Sequence, residues 1–367
     1  MQDIRLILRM VQKTMDAFSE ILSAVKLKGA LFFSADFSSP WGVNSPISKD
    51  LAPALAPGAP HLVIYHLVVE GKALACAENG ETLTLEAGDI VVFPHGDPHR
   101  LMSSERAAND LMPAIVNKIV TKDLRPLRAG GGGQNTRFVC GYMACDPFMC
   151  RPILEGLPPM LKVNIRMDHS GNWLENSILH LVEEAGSGKA GSDAMLAKLS
   201  EALFVDTLRR YVSGLPAEQI GWLAGARDPI VGKSLAILHS RVSQPWTIAD
   251  LAREVGLSRS ALVDRFSRFL SVPPMAYLTQ WRLQLAARTL TNTPRGIADI
   301  AADVGYESEA AFNRAFKREF KLPPARYRRE AKQPTGNGKA KPRPSGQRSE
   351  LSTIPNKPFR GQHHGKE

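Results

Sequence analysis

The sequence has few cysteines and no long hydrophobic run. Its four cysteines, Cys76, Cys140, Cys145 and Cys150, are too few to build the disulfide scaffold of a secreted chain, so we expect reduced thiols. Apolar residues make up 44% of the chain, yet none of the apolar stretches reaches the roughly 20 residues that a membrane-spanning helix needs. The amphipathic start of the chain lacks a small-residue cleavage site. These features predict a cytoplasmic protein without a membrane partner.

The length of the chain limits how many domains it can contain, and its charge limits which partners it is expected to bind. A chain of 367 residues exceeds the usual size of a single-core domain, which predicts at least two folded parts. The formal net charge of +10 favours a polyanionic partner. An anionic membrane or an acidic protein would satisfy the same electrostatic field, so charge alone does not identify the partner.

The first half of the chain has the pattern of a β-rich domain. Residues from about 20 to 165 contain short β-type segments separated by turn residues: LKGALFFSADF, HLVIYHLVV, GKALACA, ETLTLEAGDIVVFP and TRFVCGYMAC. They predict an all-β sandwich or barrel. The segment RAGGGGQNT at 128–136 predicts a flexible loop between two strands, because its glycines would cost conformational entropy inside a regular element.

From Trp173 onward the apolar residues recur at helical spacing. The segments NWLENSILHLVEEA and SDAMLAKLSEALFVDTLRRYV predict two helices separated by GSGKAGS. An apolar stripe on the second helix predicts core packing or, as an alternative, a dimer face; it comprises Met195, Leu196, Leu199, Ala202, Leu203 and Val205. Past about Gln333 the chain is rich in Pro, Gly, Lys and Arg, which predicts a disordered basic tail.

Two segments in the last third of the chain repeat one pattern. ADLAREVGLSRSALVDRFSRFLSVPP spans residues 249–274, and ADIAADVGYESEAAFNRAFKREFKLPP spans residues 298–324. Each copy has a short helical segment, a glycine at Gly256 or Gly305, and a second helical segment. The second copy gains one residue after its glycine, where a turn tolerates a change in length. This pattern predicts two helix-turn-helix units.

Polar residues mark the predicted start of these helices. Thr247 is placed to cap the first helix of copy one together with Asp250. Ser258 and Ser308 are placed to cap the second helix of each copy.

The second helix of each copy is predicted to bury one face and to expose the other. Leu262, Phe266 and Phe269 share the buried face in copy one, and Phe312 and Phe316 share it in copy two. The residues on the outward faces are candidate base readers; they are Ser260, Val263, Asp264 and Ser267 in copy one, and Ala310, Asn313, Arg314 and Lys317 in copy two.

The outward side chains carry chemistry that suits DNA. Arg314 has the chemistry to donate two hydrogen bonds to guanine, and Asn313 has the chemistry to bind adenine or a phosphate. Asp264 can only accept a hydrogen bond, for example from the amino group of cytosine. Flanking arginines are predicted to neutralise phosphates, which adds affinity without sequence discrimination; they are Arg259, Arg265, Arg268 and Arg318. One such helix pair alone is more often a solvated hairpin. Two pairs joined by a helix of roughly 25 Å at 274–290 suit major-groove faces about 34 Å apart.

Residues from about 235 to 330 resemble the DNA-binding domain of the AraC/XylS family of bacterial regulators. The resemblance rests on ADLAREVGLSRSALVDRF, PPMAYLTQWRLQLAARTL and GYESEAAFNRAFKREFKLPPARYR. It implies a transcription activator that binds double-stranded promoter DNA and works with RNA polymerase. It also implies a base contact for Arg314. Asp264 departs from the family, which frequently has a basic residue at that position.

The first half of the chain resembles cupins, which are small double-stranded β-helix barrels. The segment GDIVVFPHGDPH, which begins at Gly88, has the spacing of the second cupin motif. His66 and Glu70 match the second histidine and the glutamate of the first motif, but Ile64 stands in place of the first histidine. A metal cupin presents three histidines and a glutamate, so this replacement lowers metal affinity. We therefore expect no metal and no other cofactor.

The cupin-like part is predicted to sense a small molecule or an oxidant, with an inert dimerisation scaffold as the alternative. Together with VCGYMAC and RPILEGLPPML, it resembles the cupin-bearing subgroup of AraC-like regulators. The candidate sensing residues are His66, Glu70, Cys76, His99 and Cys140. Oxidant sensing by Cys76 or Cys140 is a hypothesis that the resemblance suggests, whereas buried cysteines ordinarily act as small hydrophobes. Cys140 and Cys145 are an odd number apart, so a regular strand would point them to opposite faces.

The sequence as a whole predicts a multidomain α+β protein. A cupin-like regulatory β-barrel occupies 1–165, a helical linker or dimerisation region 166–232, an all-α DNA-binding domain with two helix-turn-helix units 233–331, and a disordered basic tail 332–367. We expect a homodimeric, sequence-specific transcription regulator rather than an enzyme. Two alternatives are a cupin metalloenzyme fused to a DNA-binding module and a nonspecific architectural DNA binder that depends on its tail.

Overall fold

A computed structural model describes residues 16–25, 27–105, 110–184, 190–216 and 218–332. These residues form two compact units, one ending at Leu285 and the other beginning at Ala286. The amphipathic start at 1–15 and the predicted basic tail, apart from its first residue, lie outside the described residues. Within the described part, none of the helices combines the length and the apolar character needed to cross a membrane.

The strands of the first unit form two sheets. They are β1 (Lys28–Ser38), β2 (Gly42–Ser45), β3 (Leu62–Glu70), β4 (Lys72–Ala77), β5 (Thr82–Glu86), β6 (Asp89–Phe93), β7 (His99–Met102), β8 (Leu127–Gly130), β9 (Asn135–Ala144) and β10 (Leu161–Asn164). The six-stranded sheet has the order β10-β6-β3-β9-β1-β8, and the four-stranded sheet has the order β2-β7-β4-β5. The predicted cupin-like β domain is therefore present as two sheets.

Helices accompany the sheets and then make up the rest of the chain. They are α1 (Ala17–Val25), α2 (Ser48–Leu55), α3 (Met112–Thr121), α4 (Pro147–Leu154), α5 (His169–Glu184), α6 (Ser192–Ser213), α7 (Trp222–Arg227), α8 (Pro229–Ser240), α9 (Ile248–Val255), α10 (Arg259–Leu270), α11 (Pro274–Asn292), α12 (Ile297–Asp303), α13 (Glu309–Phe320) and α14 (Pro324–Lys332). The two helices predicted from NWLENSILHLVEEA and SDAMLAKLSEALFVDTLRRYV are confirmed as α5 and α6, and the helix predicted at 274–290 is confirmed within α11.

The glycine-rich segment at 128–136 is more ordered than the sequence predicts. The prediction of a loop is wrong at both ends, because β8 extends to Gly130 and β9 begins at Asn135. The backbone of β8 pairs in parallel with the end of β1, from Ala35 to Ser38. Those ladder hydrogen bonds offset the entropy cost of the glycines.

Central strand β3 is buried on both faces and separates two cores. Every residue of β3 except Glu70 is buried, because one face of the strand packs in the core that contains α5 and α6 and the other packs in the core between the two sheets. Its alternating side chains divide between the cores: Tyr65 and Leu67 pack with α5 and α6, whereas Val68 packs between the two sheets. A strand buried on both faces reads as a continuous hydrophobic run, which is the pattern of HLVIYHLVV.

The apolar stripe on α6 packs only in part against the sheet. Leu196 and Leu203 are buried, whereas the Met195 side chain is 57% exposed. The buried face also includes Ser200, whose hydroxyl is hydrogen-bonded to the hydroxyl of Tyr65. Core packing is confirmed for this inner face, and the dimer face remains a prediction.

Gly141 on β9 lies beside Tyr65 on β3 and tests how closely the Tyr65 ring packs over the neighbouring strand. A Cβ atom at Gly141 would overlap the ring of Tyr65, which is fully buried. We expect Gly141→Ala to lower the free energy of unfolding by about 1–3 kcal/mol, because an overpacked core must shift side chains or backbone. Urea denaturation measures this change. The control is Gly156→Ala, where the added Cβ makes only ordinary contacts; equal losses in the two variants would contradict the packing argument.

Candidate functional site

The first helix-turn-helix unit consists of α9 and α10, with the caps that the sequence predicts. The Thr247 hydroxyl donates to the Asp250 carboxylate at 2.6 Å and accepts from the Asp250 backbone N–H at 3.2 Å. Gly256 has φ of 76°, in the left-handed region that glycine tolerates. The Ser258 hydroxyl accepts from the backbone N–H of Ala261 at 3.3 Å. Both predicted helix starts are therefore confirmed.

Helix α10 buries one face and exposes most of the other. Leu262 and Phe266 are fully buried, and Phe269 is half-buried. Of the residues predicted to contact DNA, Arg259, Ser260, Asp264, Arg265 and Arg268 are exposed, and Val263 and Ser267 are half-buried. The predicted outward face is thus accessible within this unit.

Arg265 on α10 is held by Asp228, a contact that the sequence analysis did not anticipate. The guanidinium Nε and Nη2 donate to the Asp228 carboxylate at 3.0 Å and 2.7 Å. The same carboxylate caps α8 by accepting from the backbone N–H groups of Ile230 and Val231. Although burial acts to raise the pKa of Asp228, the hydrogen bonds from Arg265 and the backbone lower the pKa overall. Arg265 therefore ties α10 to the start of α8.

The second helix-turn-helix unit consists of α12 and α13 and repeats the local design. Gly305 has φ of 83°, and the Ser308 hydroxyl accepts from the backbone N–H of Ala311 at 3.2 Å. Phe312 and Phe316 are fully buried, and Phe316 contacts the ring of Tyr327 edge-on at a centroid distance of 5.3 Å. These contacts fix which face of α13 points outward.

The outward face of α13 is basic. Ala310, Arg314, Lys317 and Arg318 are exposed, and Asn313 is half-buried. The Asn313 amide donates to the Glu309 carboxylate at 3.4 Å. Arg314 makes no ion pair with any residue that the structure describes. Its guanidinium is available for an external partner.

A small cavity lies between the two sheets of the first unit. Its volume is about 30 Å³, and the rings of Phe33, Phe37, Trp41 and Phe138 line it together with aliphatic side chains. Three of the five candidate sensing residues also line it: His66, His99 and Cys140. The sheet register brings two of them together, because His66 on β3 pairs directly with Cys140 on β9.

Cys140, His66 and His99 form a continuous hydrogen-bond chain. Cys140 Sγ lies 2.8 Å from His66 Nδ1, and His66 Nε2 lies 2.9 Å from His99 Nε2. His99 Nδ1 lies 3.0 Å from the carbonyl oxygen of Asp97.

The carbonyl end gives this chain a direction. A carbonyl only accepts, so His99 Nδ1 donates, and a neutral His99 then accepts at Nε2. His66 must donate from Nε2 and accept at Nδ1, which makes the Cys140 thiol a donor. Each ring nitrogen of His66 and His99 thus takes part in one hydrogen bond. The three side chains of this hydrogen-bond chain carry no net charge.

Burial favours the same neutral states. It holds the pKa of His66 well below its usual 6.5, with a smaller contribution from His99, and lowers the pKa of His99 to about 4. Burial also raises the pKa of the Cys140 thiol. Because the thiolate is the reactive form of cysteine, a protonated and buried Cys140 is a poor nucleophile.

Glu70 and Cys76 do not join the cavity. A register shift between Val68 and Glu70 against β9 interrupts the alternation of β3, and Glu70 is exposed. Cys76 lies on β4 between the buried Ala75 and Ala77, so its side chain points away from the core.

The residues around the cavity do not fit the metal of metal-binding cupins. Ile64 supplies no ligand, Glu70 is displaced, and the Nε2 atoms of His66 and His99 are directly hydrogen-bonded. Cys140 lies on the opposite side of the His66 ring. The described residues contain no group of three or more His, Cys, Asp or Glu side chains arranged to hold an ion.

The aromatic lining was not part of the sequence prediction. Phe33, Ala35 and Phe37 alternate along β1 and are all buried between the sheets, so the period of two in this strand was the available signal. The prediction that Cys140 and Cys145 face opposite ways is confirmed, because they belong to the two different cores.

Comparison with known proteins matches two family models to separate parts of the chain. A family model described as Cupin matches residues 16–213, which is more than half of the chain. A second family model, described as Helix-turn-helix domain, matches residues 251–330. The second match contains α10 and α13 and implies DNA binding.

Curated relatives cover most of the chain. The HTH-type transcriptional regulator AlkR of Acinetobacter baylyi is 28% identical over 86% of this chain and 100% of its own. The RCS-specific HTH-type transcriptional activator RclR of Escherichia coli is 26% identical over 87% of this chain and 99% of its own. The HTH-type transcriptional regulator MtrA of Neisseria gonorrhoeae is 28% identical over 74% of this chain and 87% of its own. The chain belongs to the AraC-type transcriptional regulators that carry an amino-terminal cupin domain.

Proposed function

We propose that this protein is a homodimeric activator of transcription that binds specific promoter sequences through α10 and α13 and works with RNA polymerase. The observation that carries the proposal is the basic, accessible face of α13, which is held in place by a buried core and includes Arg314, a side chain without an ion pair among the described residues. Activation rather than repression is proposed because the relative RclR is named a transcriptional activator. Because the target is promoter DNA, the proposal places the protein in the cytoplasm.

The proposed DNA contacts divide by chemistry. Base reading falls to the outward residues of the two helices, with Arg314 on guanine and Asn313 on adenine or a phosphate. Arg259, Arg268 and Arg318 neutralise phosphates. Arg265 contributes mainly by orienting α10, because Asp228 already holds its guanidinium.

The cupin domain is proposed to receive the signal. Residues 1–165 bind the effector, 166–232 link and dimerise, 233–331 bind DNA, and the basic tail at 332–367 adds nonspecific affinity. Burial and protonation of Cys140 favour a noncovalent small molecule over an oxidant at this cavity. An oxidant response through Cys76 is the second candidate, because that thiol is partly exposed.

Footprinting on promoter fragments bound genome-wide tests the function as a whole. We expect a protected site that extends over adjacent major-groove faces. Protection that depends wholly on residues after Gln333 would instead indicate an architectural binder. Stoichiometric iron, manganese or nickel in the purified protein would indicate the metalloenzyme alternative.

Arg314→Ala tests base reading by α13. We expect a loss of about 1–3 kcal/mol in binding free energy and a relaxed preference at one base position, because the bidentate contact to guanine is removed. Binding is measured on the site and on its single-base variants. The matched control, Arg318→Ala on the same helix, should weaken binding equally on all sequences and reduce the salt dependence. An equal loss on every sequence for Arg314→Ala would make it a phosphate contact.

The pH dependence of stability tests the neutral histidine chain. The folded pKa of His99, about 4, lies below the ordinary value of 6.5, so between these pH values the unfolded chain binds a proton that the folded chain excludes. Stability therefore falls as pH falls through this window, by at most about 1.4 kcal/mol per pH unit for one group. We expect a shallower slope for His99→Gln in denaturation measured from pH 4 to 7. His180→Gln, on an exposed residue of α5, is the control; an unchanged slope in His99→Gln would contradict the assignment.

A further inference from the structure

One fully buried hydrogen-bond donor that belongs to the lining of the cavity has no partner among the described residues. Trp41 is fully buried, lines the cavity, and its indole Nε1 has no hydrogen-bond acceptor among the described residues. An indole N–H only donates. A buried donor without a partner costs about 1–3 kcal/mol, so a ligand acceptor that reaches it is favoured. Because Nε1 itself is fully buried, the indole or a neighbouring side chain must shift for that contact to form.

The other polar side chains that carry N–H or S–H groups around the cavity are already satisfied. The hydrogen-bond chain from Cys140 through His66 and His99 to the Asp97 carbonyl uses each ring nitrogen once. A ligand that took a bond from this chain would break one that already exists. Trp41 Nε1 is thus the buried N–H left for a ligand, and the half-buried Ser45 adds a hydroxyl that can both donate and accept.

The charge of the walls restricts the ligand further. Burial favours the neutral forms of His66 and His99 by lowering the pKa of each, and none of the residues that line the cavity is an Asp, Glu, Lys or Arg. A carboxylate or an ammonium group would enter without a counter-charge, which is strongly unfavourable in an apolar site. A sugar would leave most of its hydroxyls unsatisfied.

The aromatic surroundings of Trp41 and the volume of the cavity limit the size and the polarity of the rest of the ligand. Trp41 contacts Phe37 and Phe138 at centroid distances of 5.3 Å each, so the indole is fixed within an aromatic cluster. The cavity volume of about 30 Å³ exceeds what one water needs but leaves room for only a few non-hydrogen atoms.

We propose that this cavity binds a small uncharged ligand with an apolar body and a single hydrogen-bond acceptor, as in a short-chain aldehyde or ketone, with Trp41 Nε1 as the donor. The inference rests on the proposed function, in which the cavity receives the effector, and it names the chemical class of that effector. Trp41 is then the residue that distinguishes such a carbonyl compound from a hydrocarbon of the same size.

Indole resonances of the full-length protein test the proposal directly. Acetone is the carbonyl probe, xenon the apolar probe without an acceptor, and acetate and glycerol the charged and polyol probes. The Trp41 indole N–H signal is assigned by its loss in Trp41→Phe. We expect acetone to move this signal downfield in a saturable manner, because the N–H gains an acceptor. The Trp222 indole, which already donates to the Tyr277 hydroxyl at 2.9 Å, is the internal control and should stay in place.

Trp41→Phe supplies the second measurement, since it keeps an aromatic wall and removes only the donor. We expect its affinity for acetone to fall about tenfold or more, within the range for loss of one buried hydrogen bond, while xenon binding remains. Trp281→Phe removes an indole that is distant in the sequence and does not line this cavity. This variant should leave acetone binding unchanged. If Trp41→Phe does not fold, the Trp41 signal is assigned by elimination, from Trp→Phe variants of the other four tryptophans, and the probe series on the wild-type protein still decides the matter.

Three results would overturn the proposal: an unmoved Trp41 signal, equal affinity for acetone in the two tryptophan variants, or tighter binding of acetate or glycerol. The first would show that water suffices as the partner of Trp41. Neither measurement uses DNA, so failure here leaves promoter protection and the Arg314 result intact. Loss of promoter protection with acetone binding preserved would overturn only the proposed regulatory function.

Discussion

The interior of the cupin domain depends on one directional chain of hydrogen bonds that ends at a backbone carbonyl. The Asp97 carbonyl only accepts, and because burial keeps both histidines neutral, this fixes the donor and acceptor roles of His99, His66 and Cys140 in turn. Because the whole chain is neutral, two imidazoles and a thiol lie among aromatic rings without unpaired charge. The same chain leaves the cavity apolar and removes the reactivity that a thiolate would have.

In the two helix-turn-helix units, a few residues are enough to fix which face of the second helix is exposed. In each unit a serine caps the second helix, a glycine in the left-handed region reverses the chain, and phenylalanines bury one face. Once these contacts fix the rotation of the helix, the opposite face is free to vary. The two copies use that freedom differently: α10 displays an acidic residue at Asp264, whereas α13 displays Arg314, Lys317 and Arg318.

Several functional features follow from pairing between distant segments, and periodicity does not reveal them. His66 and Glu70 are four residues apart and would share a face of a regular strand, but the register shift against β9 removes Glu70 from the cavity. Arg265 has the pattern of a phosphate contact, yet Asp228 holds it from 37 residues away in the chain. Trp41 enters the cavity through packing of the two sheets, which no local motif encodes.

The sequence by itself determined the order of β-rich and helical parts, the repeated helix-turn-helix units, their caps and the outward residues of α10 and α13. Those features depend on local spacing and on helix periodicity, which are written in consecutive residues. Only the tertiary structure decided which polar side chains meet in the cupin domain, which donor is left without a partner, and which arginine is already paired. These depend on strand register and sheet packing, where a shift of one residue reverses the direction of a side chain.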